Sequence, residues 1–106
     1  MIKNLNIDTE GYDLSGDLKS RIADRIGGLD EFMNTLDRGH VTVSWEGGEN
    51  HETRIRAQVS GSGTQFEASD TDWKAETAID ETRSKLESQI KRAHDSKISN
   101  RDERDR

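Results

Sequence analysis

Hydrophobic positions along the chain follow two rhythms, and the switches between them mark out six elements. From Asp70 to Lys97, apolar or small residues recur at Ala75, Ala78, Ile79, Thr82, Leu86, Ile90 and Ala93. These steps of three and four gather on one face of a long helix. Asp70, Thr71 and Asp72 offer N-cap oxygens, and Lys91, Arg92 and Lys97 lie towards the negative end of the helix dipole. Leu18, Ile22, Ile26 and Leu29 repeat the helical spacing over a shorter stretch, with Ser15 as N-cap and Gly27-Gly28 weakening or ending the helix. Phe32, Met33 and Leu36 then form a hydrophobic plug in a short continuation.

Between the helices the period drops to two. Residues 39–46 place Val41, Val43 and Trp45 on one side and His40, Thr42 and Ser44 on the other. Residues 51–60 alternate Thr53, Ile55, Ala57 and Val59 inward with Arg54, Arg56 and Gln58 outward. A turn from Gly47 to Asn50 joins these two strands. Gly61-Ser62-Gly63 makes a hairpin turn, and residues 64–69 form a last strand with Phe66 and Ala68 inward. Residues 2–8 form a shorter first strand. The predicted fold is α+β, in the order β-α-β-β-β-α, with a four-stranded mixed sheet and both helices packed on one face. The first two strands, joined through a helix, should be parallel, and the last three an antiparallel meander. The other sheet face, carrying Thr42, Ser44, Arg54, Arg56 and Gln58, should meet solvent. From residue 96 the apolar rhythm is lost. A domain over 1–95 and a charged, frayed or disordered tail over 96–106 are therefore expected.

Composition narrows the function classes. Of 106 residues only 28% are hydrophobic and 36% are charged, so the core must be thin, one sheet covered on one face. Cysteine is absent, which removes disulfides and thiolate metal sites. No apolar run is long enough for a membrane span and no signal peptide opens the chain. A cytoplasmic protein without membrane contact is expected. The net charge of −6 and pI near 5.0 argue against a general DNA or RNA coat, so any nucleic-acid site must be a local basic patch.

Candidate chemistry is sparse. His40, His51 and His94 lie on different elements without metal-ligand spacing. Gly61-Ser62-Gly63 is too short to cradle phosphate and leads into a strand. Asp70 and Asp72 read as caps before they read as cation ligands. Trp45 and Trp73 fit core or core-edge positions better than base-stacking platforms. No nucleophile, metal cluster or cofactor motif is visible, so neither an enzyme nor a cofactor is expected. The long helix does sort its charges: Lys74, Lys85 and Arg92 fall on nearly one line beside the apolar stripe. Such an edge could follow a phosphate backbone. The more ordinary reading is a solvated face with i,i+4 pairs.

Four stretches carry a resemblance to the ribosome hibernation factors, the family of the ribosome-associated inhibitor and hibernation-promoting factor. SRIADRIGGLDEF at 20–32 is similar to that family's first helix, and GHVTVSWE at 39–46 to its second strand. AIDE at 78–81 and KLESQIKR at 85–92 are similar to its second helix, including the spacing between them. The resemblance spans roughly residues 1–95 and implies a layout like that of double-stranded RNA-binding domains. It also implies a translation inhibitor that occupies the messenger and transfer RNA channel of the small ribosomal subunit. The mechanism would be steric, through basic side chains on ribosomal RNA phosphates.

Carried over residue by residue, the expected contacts are Lys19, Arg21 and Arg25 on the first helix and Lys85, Gln89, Lys91 and Arg92 on the second. Lys74 joins them from the helical stripe alone, and Arg54 and Arg56 from the outward sheet face alone. Gly28, Glu31 and Ser88 stand where the family is often basic, and DTDW precedes the second helix where the family runs Asp straight into an aromatic. The chain resembles a short form without the ribosome-pairing C-terminal domain, a monomer away from the ribosome. The competing expectation is a protein-interaction or regulatory module of the same fold that has lost strong ribosomal RNA binding.

Overall fold

The structure, a computed structural model, describes residues 1–47 and 52–104, with side chains described as far as His94. Strand β1 (Asn4–Glu10) leads into helix α1 (Gly16–Gly27), which is followed by a 3-10 turn over Gly28–Glu31. Strands β2 (Arg38–Glu46), β3 (Glu52–Gly61) and β4 (Thr64–Asp72) precede the long helix α2 (Ala75–Arg104). The sheet order is β1-β2-β3-β4, with β1 parallel to β2 and the remaining pairs antiparallel. This is the expected β-α-β-β-β-α mixed sheet.

Alternation decides which side chains meet the helices. Val41, Val43, Ile55, Ala57, Val59, Phe66 and Ala68 point under them and are buried. From above, α1 contributes Ile22 and Ile26, and α2 contributes Ala78, Ile79, Leu86 and Ile90. Thr82 is also buried, and its hydroxyl donates to the Ala78 carbonyl at 2.8 Å. That bond removes the cost of an unpaired buried hydroxyl. The plug is real: Leu29 and Leu36 are buried, while Phe32 and Met33 pack against the core from its margin.

The start of α1 follows the sequence closely. Ser15 is extended, and its Oγ accepts from the Leu18 amide at 3.2 Å. Ser62 (φ 51°) and Gly63 (φ 78°) form the two-residue loop that closes the Gly61–Thr64 pair. Positive φ at both central positions is the turn whose twist suits adjoining strands.

The boundaries of three elements differ from expectation. β1 begins two residues later and extends to Glu10. β4 extends to Asp72, because Asp70 and Thr71 pair with Ile55 and Arg54 on β3. Backbone pairing there outcompetes the capping role expected of these two residues. Only Asp72 turns the chain, its Oδ1 accepting from the Lys74 amide at 2.9 Å, and α2 starts at Ala75. The helix also continues past residue 95, so the expected domain boundary does not coincide with its end. The turn expected at 47–50 and a strand start at His51 lie largely outside the described residues.

Candidate nucleic-acid interface

The ten candidate contacts divide among five places. On the flank of α2 that faces β4, Lys85, Gln89 and Arg92 line a groove of about 430 Å³ with Ala68, Ser84 and Ser88. Its lining includes no carboxylate, in a chain of net charge −6. Lys85 Nζ donates to the Ser69 carbonyl at 2.9 Å and lies 3.4 Å from Asp70 Oδ1. Gln89 Nε2 donates to the Glu67 carbonyl at 2.8 Å. The match is geometric: four helical residues advance about 6 Å and two strand residues about 6.8 Å. Successive α2 side chains on this flank therefore meet alternate β4 carbonyls. Arg92 forms no ion pair among the described residues.

Asp70 sits in an acidic neighbourhood. Burial pushes its carboxyl up, but hydrogen bonds from Glu81, the Thr71 backbone and Lys85, with the Lys85 charge, hold it below the ordinary range. Glu81 moves the other way. The proton it shares with Asp70 raises it first, and the negative charge of Asp70, burial and the charge of Asp72 add to that.

The second place is the seam between the helices, where Arg21 and Arg25 converge on one carboxylate of α2. Arg21 donates to Asp80 Oδ2 at 2.8 Å, and Arg25 Nε lies 3.5 Å from Oδ1. The bond to Asp80 raises the Arg21 pKa. Arg21 Nε and Asp80 Oδ1 are shielded from water without a hydrogen-bond partner, so the cluster is incompletely satisfied. Further along, Arg83 pairs with Glu87 at 3.2 Å and lies 3.9 Å from Glu31. Lys91 reaches Glu87 at 3.4 Å and stands 5.1 Å from the centre of the Phe32 ring. Lys91 thus belongs to the seam and not to the groove shared by Lys85 and Arg92. Arg83, absent from the candidate set, joins it here. On the helical wheel it lay among acidic residues, and the crossing of two helices was needed to reveal it.

The third place is the open sheet face. Arg54 pairs there with Glu46 at 3.2 Å, and Arg56 with Glu67 at 2.8 Å. Arg56 and Gln58 together hold the Glu67 carboxyl below its ordinary range. The last two candidates stand apart. Lys19 lines a groove beside β1 with Lys3, Leu5 and Ala23, and Lys74 lies at the β4–α2 junction. Neither forms an ion pair among the described residues. Six of the nine basic candidates are therefore already matched to carboxylates of this same chain.

The tryptophans lie at the edge of the core and not within it. Trp45 is on the core side of β2 but 47% exposed, and Trp73 is 62% exposed. Both sit at the margin of the sheet, beyond the cover of the helices. His40 is exposed and bonds Asp8 at 2.6 Å. Among the described residues no group of three or more His, Asp or Glu could hold a metal ion. No described helix is long and apolar enough to cross a membrane.

The fold is a sheet roofed by two helices, with cations along both flanks of the longer one. The chain belongs to the ribosomal S30AE family, described as sigma 54 modulation protein / S30EA ribosomal protein, whose pattern matches residues 5–98. This is a family of ribosome-associated hibernation and translation-inhibition factors, and its proteins are not enzymes. Solved structures share the fold. The N-terminal domain of Protein Y from Thermus thermophilus aligns with a TM-score of 0.72 and 21% identity, over 85% of this chain and 97% of that one. A ribosomal subunit interface protein from Coxiella burnetii aligns with a TM-score of 0.72 and 16% identity, over 86% and 97%. At these identities the likeness speaks for the fold alone. No curated protein sequence matches the chain.

Proposed function

We propose that this protein binds the small ribosomal subunit and blocks translation by occupying the channel used by messenger and transfer RNA, with α2 laid against ribosomal RNA. The observation that carries this reading is the carboxylate-free groove formed by Lys85, Gln89, Arg92, Ser84 and Ser88. In an acidic molecule it is a place where a phosphate meets Arg92, which has no ion pair among the described residues, beside Lys85, whose ammonium lies 3.4 Å from Asp70. Arg21, Arg25 and Lys91 on the other flank of α2 would engage further phosphates after exchanging their own carboxylates. Lys19, Lys74, Arg54 and Arg56 stand outside that face and contribute less. The Arg21–Asp80 bond is part-buried and Glu87 is only a quarter exposed, so exchanging these carboxylates for phosphate costs more than it would for fully exposed pairs.

Co-sedimentation with small ribosomal subunits across a salt series tests the proposal. Binding should weaken as salt rises, and Arg92→Glu should weaken it strongly while leaving the melting temperature near that of the wild type. Displacement by messenger RNA and transfer RNA should follow from channel occupancy. Full retention of the Arg92→Glu variant, or binding indifferent to salt, would rule the groove out. Extensive self-pairing of the cations favours a second reading, a regulator of the same fold that binds ribosomal RNA weakly. Failure of the wild type to sediment at low salt would support it.

A further inference from the structure

β1 stands first in the sheet order, so one of its edges has no neighbouring strand. The Asn4 amide donates to the Asp37 carbonyl at 3.1 Å, and Asn4 is in register with Arg38. In a parallel ladder of this register, the N–H and C=O groups of Asn4, Asn6 and Asp8 turn to β2. Those of Leu5 and Ile7 turn outward, where no group among the described residues bonds them. The side chains of Leu5 and Ile7 have core parity, like Val41 and Val43, yet they are only partly buried because no strand lies beyond them.

Helix α1 runs back along this edge. A Cβ at Gly27 would lie 3.5 Å from Leu5 Cδ2, and Lys19 lies about two turns nearer the start of the helix. The groove between them, of about 460 Å³, places Leu5, Ile7 and Ala23 between Lys3 at one end and Lys19 at the other. Neither lysine forms an ion pair among the described residues, and no carboxylate lines the groove. Nearby carboxylates are directed elsewhere. Asp8 and Glu10 belong to the other face of β1, and Asp8 bonds His40. Asp17 and Asp24 are exposed on the outer line of α1. Asp30 pairs with the Met1 amino group at 2.8 Å, and Asp37 lines a separate groove with Ser60 and Gly61.

We infer that this edge accepts an extended segment of a partner protein as a fifth strand, apolar at its centre and acidic at both ends on the helix side. The outward groups of Leu5 and Ile7 supply main-chain hydrogen bonds, and alternate side chains of the segment enter the groove. Lysines at an edge discourage an apolar strand from pairing. Carboxylates placed against Lys3 and Lys19 reverse that effect and fix the register. Other occupants fit less well. A second copy joined through its own β1 in an antiparallel pair would set four lysines on the helix side of the joint, with Asp8 and Glu10 on the other. RNA would satisfy the lysines and leave Leu5 and Ile7 wet.

The test uses the full chain, isotopically labelled, with the heptapeptide Glu-Thr-Val-Thr-Val-Thr-Glu, followed by NMR titration and amide hydrogen exchange. No ribosome is present, so the outcome is independent of the subunit-binding proposal. The peptide should bind and slow exchange at the Leu5 and Ile7 amides, while the Asn4 and Asn6 amides, already bonded to β2, change little. Lys3→Glu with Lys19→Glu should weaken binding about ten-fold at low salt and leave the melting curve unchanged. A peptide N-methylated at every internal residue should not bind, because it keeps the charges and loses the main-chain donors. Absence of heptapeptide binding would overturn the inference, as would undiminished binding of the N-methylated peptide. Equal binding of a peptide with lysine at both ends would overturn the charge assignment and with it the occupant. Protection of Leu5 and Ile7 in a dimer of the free protein, or by oligouridine in preference to the peptide, would likewise overturn it.

Discussion

Gly61 packs directly against the backbone of Thr35 and Leu36, and Gly61→Ala measures what that approach is worth. A Cβ at this position would lie 1.9 Å from the Thr35 carbonyl oxygen, 2.7 Å from the Thr35 carbonyl carbon and 2.8 Å from Leu36 Cα. All three are backbone atoms, so no rotamer change relieves the clash. Restoring an ordinary contact requires the 35–36 segment to retreat by roughly 1.5 Å from so tightly packed an interior. That segment is anchored on both sides. The Leu36 amide donates to the Met33 carbonyl at 3.1 Å, and the Asp37 amide to the Ser60 carbonyl at 3.0 Å. Leu36 itself is only 3% exposed.

Overpacking costs about 1–3 kcal/mol, and a stretched hydrogen bond adds about 1 kcal/mol. A loss of about 3 kcal/mol is a large part of the roughly 5–15 kcal/mol expected for a domain of this size. At about 4–8 °C per kcal/mol, the melting temperature should fall by about 12–24 °C. Circular dichroism melts read this directly, and urea unfolding should show a lower midpoint at unchanged slope. Gly28→Ala is the control. Gly28 is right-handed (φ −77°) with nothing within 4 Å of a new Cβ, so that variant should gain up to about 1 kcal/mol from reduced freedom of the unfolded chain. A Gly61→Ala melting temperature within about 4 °C of the wild type would refute the reasoning.

Further outcomes follow from the charged clusters. Asp80→Asn removes the carboxylate shared by Arg21 and Arg25, so subunit binding should tighten at low salt. The log–log salt slope should steepen by about 0.7–0.9, one phosphate's worth, and an unchanged slope would detach these arginines from the interface. Ser88→Lys adds a cation to the carboxylate-free groove and should steepen the slope similarly, whereas Glu31→Lys on the seam tests the opposite flank. Glu81→Gln concerns pH. Glu81 has a raised folded pKa, so its contribution to stability is lost as pH rises through that value. A glutamine stays neutral throughout, and the variant should melt higher than wild type at pH 7 and converge with it near pH 4. Glu67 has a lowered pKa, so its contribution is present above about pH 4.5 and lost on acidification. Glu67→Gln should therefore show a shallower acid transition.

The elements were legible because each has a clean period. Val41, Val43, Ile55, Ala57 and Val59 alternate without interruption, and Ile79, Leu86 and Ile90 hold a helical stripe whatever lies beside it. The first turn of α2 was not legible. Asp70 and Thr71 are good caps locally, and only the length of β3 shows that they are needed as ladder partners. Trp45 has the right parity for the core, but parity does not reveal where the overlying helices stop. The site was readable as residue types and not as a surface. Lys85 and Arg92 share a helix line, and so does Lys74 by angle, although it lies at the other end of the element. The partners of long side chains are tertiary facts: nothing in the spacing says that Arg21 and Arg25 share Asp80, or that Lys91 turns towards Phe32.

The hydrogen bonds from Lys85 and Gln89 to Ser69 and Glu67 have a consequence for solubility. β4 is an outer strand, and its outward carbonyls would otherwise offer a template for strand addition by another chain. Two side chains of α2 occupy that template. If the same two side chains turn towards phosphate, the strand margin loses its cover while the protein is bound, when RNA takes over the shielding. Off the ribosome the cover returns. One flank of one helix would then keep idle molecules apart and hold engaged ones in place, and loss of Lys85 and Gln89 together should appear first as self-association.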